Sequence, residues 1–259
     1  MRLNKTKRRS KKKLTKKPEH TKIYKNNNKM KLLVMSVDNE KGLARRKYLN
    51  YKYDWIKAIW MDDRKNPILK KVRSKVTIRY NMSKSSRKFK AGTANISSHI
   101  KILKMIVEKN MKNVIILEDD SIQNTDLPNV NELPTDGATL FSGQLAHPFS
   151  WNEDKLWKKN TARKTVKSFK KGVNRINYDK YRWTQSNAIF IPNKAVAANM
   201  LKVLDEIDSY KLYYDMLLAH NKLVSYLYYP APFRHDDTRV SGQIGSRQGN
   251  IENYILKSK

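Results

Sequence analysis

The chain has 259 residues, with 55 Lys+Arg against 23 Asp+Glu, a formal net charge of +32 and no cysteine. That length suits one domain of ordinary enzyme size, or two small ones at most, and 39% apolar residues is enough to bury a core. The missing cysteines exclude disulfide scaffolds, zinc–thiolate centres and cysteine nucleophiles, and no apolar run approaches the roughly 20 residues of a membrane span.

The charge is unevenly spread. Residues 1–30 hold 13 Lys+Arg and one Glu, with Lys11-Lys12-Lys13 and Asn26-Asn27-Asn28 among them. Such a segment repels itself and buries nothing, so it is read as a disordered basic tail. Its partner is open between nucleic acid, an anionic membrane and none. The body, residues 31–259, is basic too, but over the whole chain Lys (40) outnumbers Arg (15) and Asn reaches 24. Readers of nucleic acid favour Arg for bidentate contacts. A Lys and Asn bias instead fits an AT-rich coding sequence and a solvated surface. With no apolar stretch after the basic N-terminus, no secretory signal is expected. A cytoplasmic protein, bacterial or from a large DNA virus, fits that composition.

In chain order, Lys31 to Val37 reads as a strand, followed by a polar turn at Asp38-Asn39-Glu40. A helix is expected from Gly42 to about Tyr51 and a strand from Asp54 to Met61. Residues 64–90 are basic and weakly patterned, a long connection with a strand over Val76 to Tyr80. Gly92-Thr93 opens a helix with Thr93 as N-cap. Ile96, Ile100, Leu103 and Val107 then fall on one helix face. Val114 to Leu117 is a buried strand that runs into Glu118-Asp119-Asp120. Strands follow at Thr139–Ser142, Ala188–Ile191 and Val224–Tyr229, with helices over Lys194–Ile207 and about Tyr213–Asn221. Residues 150–183 show little period. Alternating strands and helices predict an α/β domain with a mostly parallel central sheet flanked by helices.

Ligands of open α/β sheets sit beyond the carboxyl ends of the strands, where the acidic triplet falls. Three adjacent carboxylates repel and lose solvation beside a buried strand. A hard divalent cation, Mn²⁺ or Mg²⁺, would offset that cost. In an extended chain Glu118 and Asp120 point one way and Asp119 the other. The competing reading is a solvated acidic turn.

Gly92, then Ser98-His99, an amphipathic helix, and Val114-Ile115-Ile116-Leu117-Glu118-Asp119-Asp120 together resemble glycosyltransferase family 25. That family includes bacterial lipooligosaccharide and collagen galactosyltransferases. Met35-Ser36-Val37-Asp38 with Arg45-Arg46, the unit Trp183 to Ile191, Tyr214-Asp215-Met216-Leu217 and Tyr229-Pro230-Ala231-Pro232 are similar to further family segments. Ala94-Asn95 stands where the family carries a small residue and cysteine. The resemblance implies a GT-A-like single domain over 31–259. It also implies inverting transfer of a hexose, galactose or glucose, from a UDP-sugar to a glycan or protein hydroxyl, usually with Mn²⁺.

Roles follow from that resemblance. Asp120 is expected as first metal ligand, then Glu118, with His235 as a further ligand or diphosphate contact. Asp119 is expected to bond the ribose or the donor sugar in the catalytic centre. Arg45 and Arg46 would face the diphosphate or uracil, and Ser98 and His99 the donor pocket. For His235 and His99 a plain surface and a plain core histidine compete. The acceptor hydroxyl needs a base. Asp215, Asp236 and Asp237 are the choices, with Asp215 preferred for its apolar helix. Trp151, Trp157 and Trp183 are candidate sugar-stacking platforms. The alternatives are a nucleic-acid-binding protein or metal-dependent nuclease using the same carboxylates, and an inactive transferase-like scaffold.

Overall fold

The computed structural model describes residues 29–77, 83–146, 168–184, 187–211 and 213–235. Strand β1 (Lys31–Ser36) buries five of its six residues. Helix α1 (Glu40–Arg46) follows at once, because the Asn39 side chain accepts from the Gly42 amide and caps it. A Cβ on Gly42 would stand 2.0 Å from the Val37 carbonyl oxygen, so only glycine lets α1 pack this close to the end of β1. The helix ends before Lys47, short of the expected Tyr51. Asn50 and Tyr51 bond to a distant strand instead, described below. Strand β2 (Asp54–Lys57) is likewise shorter than the predicted run to Met61.

Residues 64–90 are more ordered than their sequence suggests. Helix α2 (Pro67–Lys75) starts with proline in the first turn, where its missing N–H costs nothing, and Asn66 caps it. Leu69 and Val72 are buried while the basic residues around them dilute the apolar signal. Val76 makes a single bridge to Tyr210. The rest of the strand expected there falls on residues 78–82, outside the described residues. Helix α3 (Arg87–Glu108) begins six residues before Thr93, since Ser86 is the residue that caps it. Thr93 is buried mid-helix and its hydroxyl donates back to the Lys90 carbonyl. A Thr in this role mimics a cap in sequence, because the same hydroxyl can serve a helix interior.

Strand β3 (Val114–Glu118) is the sheet's pivot. Strand β4 (Ser121–Gln123) follows after the turn Asp119–Asp120. The remaining elements are β5 (Thr139–Leu140), β6 (Gln144–Ala146), β7 (Gly172–Arg175), β8 (Arg182–Thr184) and β9 (Ala188–Ile191). Helices α4 (Lys194–Glu206) and α5 (Tyr214–His220) precede β10 (Tyr226–Tyr229) and β11 (Phe233–His235). β7 lies inside the stretch without sequence period and β8 begins at its end.

The central sheet has seven strands in the order β2-β1-β3-β9-β5-β10-β7. β9 and β7 run against the other strands, so the sheet is mixed and mostly parallel in direction. Two cores flank it. Val114 and Ile116 of β3 face the larger one, with Ile100 and Leu103 of α3 and Leu204 of α4. Ile115 and Leu117 face the smaller one, with Tyr51, Phe141, Phe190 and Phe233. Period-two alternation in a strand buried on both faces explains why β3 reads as an unbroken apolar run. Each such side chain contributes about 1.5–3 kcal/mol on full burial. No helix among the described residues is long and apolar enough to cross a membrane.

Candidate active site at the acidic strand end

The two-core alternation of β3 continues into the acidic triplet for two residues. Glu118 falls on the α3 side. Its Oε1 accepts from Asn95 Nδ2 at 3.0 Å and lies 3.3 Å from His99 Nε2. His99 is 1% exposed and its ring stacks on Tyr214 with centroids 3.7 Å apart. The stack draws the start of α5 to this strand end. Asp215 is the next residue, half-buried, with Oδ1 accepting from the Met216 amide at 2.8 Å.

Asp119 falls on the opposite side. Its Oδ1 takes Arg45 Nη1 at 2.6 Å and its Oδ2 takes the Ser36 hydroxyl at 2.7 Å. The Arg45 and Asp119 side chains are 10% and 11% exposed. Burial pushes the Asp119 carboxyl above its ordinary pKa, against the Arg45 charge, which pulls it down, and with the Asp120 charge, which pushes it up further. Arg46 is also committed. Its Nη1 donates to Ser36 Oγ and the Val37 carbonyl, both at 3.0 Å, and its guanidinium lies 4.1 Å from the centre of the Trp55 ring. The arginine side of the site is therefore a bonded lattice of positive charge rather than two loose side chains.

Asp120 is buried at 8% exposure. Strand geometry ends at Glu118 and Asp119–Asp120 is a turn, so alternation does not fix the direction of Asp120 as the sequence suggested. The segment after it is held from several sides. Ser121 donates through Oγ to the Asn187 carbonyl at 2.8 Å, and the same carbonyl accepts the Glu118 amide at 2.9 Å. Across the small β4–β11 ribbon, His235 sits opposite Ser121 in register, one residue from Asp120. The fold thus gathers the backbone of Glu118, Asp120 and His235 at one strand end. Asp236 and Asp237, with Trp151 and Trp157, lie outside the described residues, and Trp183 falls in β8.

Ser98 is buried and bonded to backbone. Its hydroxyl accepts the Ile59 amide at 2.9 Å and donates to the Ala94 carbonyl at 2.8 Å, tying α3 to the chain after β2. Residues that sequence reasoning passed over include Ser36, Asn50, Tyr51, Asn95, Asn187 and Tyr214. Ser36, Asn187 and Tyr214 stand in the family-like segments and Asn95 at a position that departs from the family, but nothing local gives any of them a role. His99 Nδ1, the Tyr214 hydroxyl and both amide atoms of Asn187 are buried with no hydrogen-bond partner among the described residues. Buried polar atoms are seldom left so, which marks this strand end as a place for polar ligands or water.

Among the described residues no three of His, Cys, Asp and Glu stand together closely enough to cage a metal. The oxygen donors at hand still suit a shared site. Mg²⁺ and Mn²⁺ bind through one or two carboxylates and take their other ligands from phosphate and water.

A family model described as glycosyltransferase family 25 (LPS biosynthesis protein) matches residues 25–218. No curated protein matches the chain. Among solved structures it is similar to the crystal structure of mouse Xyloside xylosyltransferase 1, apo form, at 10% identity and a TM-score of 0.39. That likeness covers 73% of this chain and 80% of the other, and at so low a score it bears on neither donor nor acceptor. The family match spans most of the chain and includes the acidic triplet, the arginines of α1, His99 and Asp215. This chain belongs to glycosyltransferase family 25.

Proposed function

We propose that this glycosyltransferase moves a hexose, galactose or glucose, from a UDP-sugar to a hydroxyl of a glycan or protein, with inversion at the anomeric carbon and with a divalent metal. The observation that carries the reading is the placement of Glu118-Asp119-Asp120 at the end of the pivotal strand, with Glu118 and Asp119 tied to opposite sides of the sheet. Asp120 and Glu118 would hold Mn²⁺ or Mg²⁺ together with diphosphate oxygens and water, with His235 as a diphosphate contact, and the ion would supply Lewis-acid stabilisation of the departing diphosphate.

The chain's own groups do the rest. Arg45 and Arg46 hold positive charge beside the leaving group, oriented by Asp119, Ser36 and Trp55. His99 and Asn95 fix the Glu118 carboxylate, so little reorganisation is needed as charge develops. Asp215 takes the proton of the acceptor hydroxyl as its oxygen bonds the anomeric carbon and the bond to the diphosphate breaks. Asp119 acts through Arg45 in this reading.

The test is a donor screen. Purified protein, Mn²⁺, an acceptor panel and a set of nucleotide sugars are incubated, and released nucleoside diphosphate is measured. Turnover confined to UDP-hexoses supports the reading. Release from no UDP-sugar, on any acceptor, overturns it. The family match lends the nucleic-acid reading no support.

A further inference from the structure

We propose that Asn50 and Tyr51 are positioning residues for the metal centre: they clamp β4 from one edge and thereby set the turn that carries Asp120 against the strand that carries His235. This inference rests on the metal reading above and goes beyond it, since that reading gives neither residue a role.

The geometry is specific. The Asn50 side chain behaves as a short extra strand, donating through Nδ2 to the Gln123 carbonyl at 3.0 Å and accepting the Gln123 amide on Oδ1 at 3.1 Å. Its neighbour Tyr51 donates through its hydroxyl to the Ser121 carbonyl at 3.0 Å. Two consecutive residues thus grip two alternate residues of β4, from 70 and 73 positions away in the chain. The other edge of β4 pairs with β11, Phe233 opposite Gln123 and His235 opposite Ser121. The clamp is rigid in its own right. Both residues are 6% exposed, and the Tyr51 ring meets Phe233 edge-on at 5.5 Å. So one aromatic touches both strands of the ribbon, through its hydroxyl on β4 and its ring on β11.

A three-residue strand paired to another three-residue strand has little stability alone. Without the clamp, the peptide after Asp120 would be free to twist, and a ligand set needs its supporting bonds to hold its geometry. The clamp also explains why α1 stops early: a helix continued to Tyr51 would take Asn50 and Tyr51 away from β4. Burial and the nearby Asp120 charge push the Tyr51 phenol well above its ordinary pKa, so it stays a donor.

The test uses the full chain. Free Mn²⁺ is followed by electron paramagnetic resonance during titration in the presence of UDP, beside thermal melting and the Mn²⁺ dependence of turnover. Tyr51→Phe deletes one hydroxyl and keeps the ring. It is expected to weaken Mn²⁺ binding about tenfold, in the range of lost supporting bonds at metal sites, with kcat recovered at saturating Mn²⁺. Tyr53→Phe is the matched control: its hydroxyl also bonds a carbonyl, that of Arg46, but nothing on β4. It should bind Mn²⁺ as the unaltered chain does. Asn50→Ala should weaken binding at least as much as Tyr51→Phe. Tyr51→Phe binding Mn²⁺ within twofold of the unaltered chain, or Tyr53→Phe weakened equally, overturns the clamp. Absence of Mn²⁺ binding by the unaltered chain overturns the metal reading itself, and the clamp with it.

Discussion

Glu118 and Asp119 are neighbours in the chain and opposites in the structure. Asp119 is sealed in an ion pair with Arg45, with Ser36 on its other oxygen and both charged side chains nearly buried. Glu118 is more open, its side chain 27% exposed, and is held on a single oxygen by Asn95 and His99. The first arrangement spends its bonding capacity on the protein, whereas the second keeps capacity for a ligand. Removing one member of a buried pair strands the other's charge in low dielectric. Removing a support from a half-open carboxylate mainly alters its aim.

Four variants would break or sharpen that contrast. Asp120→Ala should lower turnover about a thousandfold, the several kcal/mol that Lewis-acid stabilisation contributes, with an unchanged melting curve. Full activity there sinks the metal assignment. Asp119→Ala should instead destabilise the fold by about 3–5 kcal/mol, visible in chemical denaturation. A melt like that of the unaltered chain would show that Arg45 needs no partner. His99→Gln should leave the fold largely intact and raise the Mn²⁺ or donor concentration for half-maximal rate by about tenfold. An effect on stability alone would make His99 a core residue. Ser98→Ala, which loses two hydrogen bonds to backbone, should cost about 1–3 kcal/mol and leave turnover unchanged. Lower turnover in a well-folded Ser98→Ala would return Ser98 to the donor pocket.

The pH response separates the two carboxylates as well. Because burial raises the Asp119 pKa, the folded chain binds that proton more tightly than the unfolded chain. Its contribution to stability is fully present below the unfolded value and is lost as pH rises through the higher folded value. Asp119→Asn should flatten that part of the stability profile, as read by denaturation across the acidic range. A profile identical to that of the unaltered chain would mean that Asp119 titrates as an ordinary carboxylate.

Much of the scaffold was legible because its signals are local. Val114 to Leu117 announces a buried strand by composition, and the face of Ile96, Ile100 and Leu103 announces α3 by period. The boundaries were less legible. Thr93 looked like a cap because its hydroxyl can serve either a helix start or a helix interior, and only Ser86 bonds as the cap. Helix α2 was hidden by its basic face. Within the candidate site, the triplet is legible as an acidic break after an apolar strand, while Arg45, Arg46, His99 and Asp215 are candidates that the resemblance supplies. The distinction among them was not legible, since Ser98 and His99 are adjacent and yet Ser98 is tied to backbone while His99 reaches Glu118.

The sequence by itself determined the α/β class, the pivotal strand and the acidic residues that end it, because hydrophobic period and short-range order act over a few residues. Tertiary structure alone decided which carboxylate is sealed, which arginine seals it, and how Asn50, Tyr51 and His235 come to flank β4. Those contacts join residues 70 or more positions apart. They exist only once the sheet has closed and water has been driven from between its layers, which is what makes a buried charge or a single hydroxyl choose its partner.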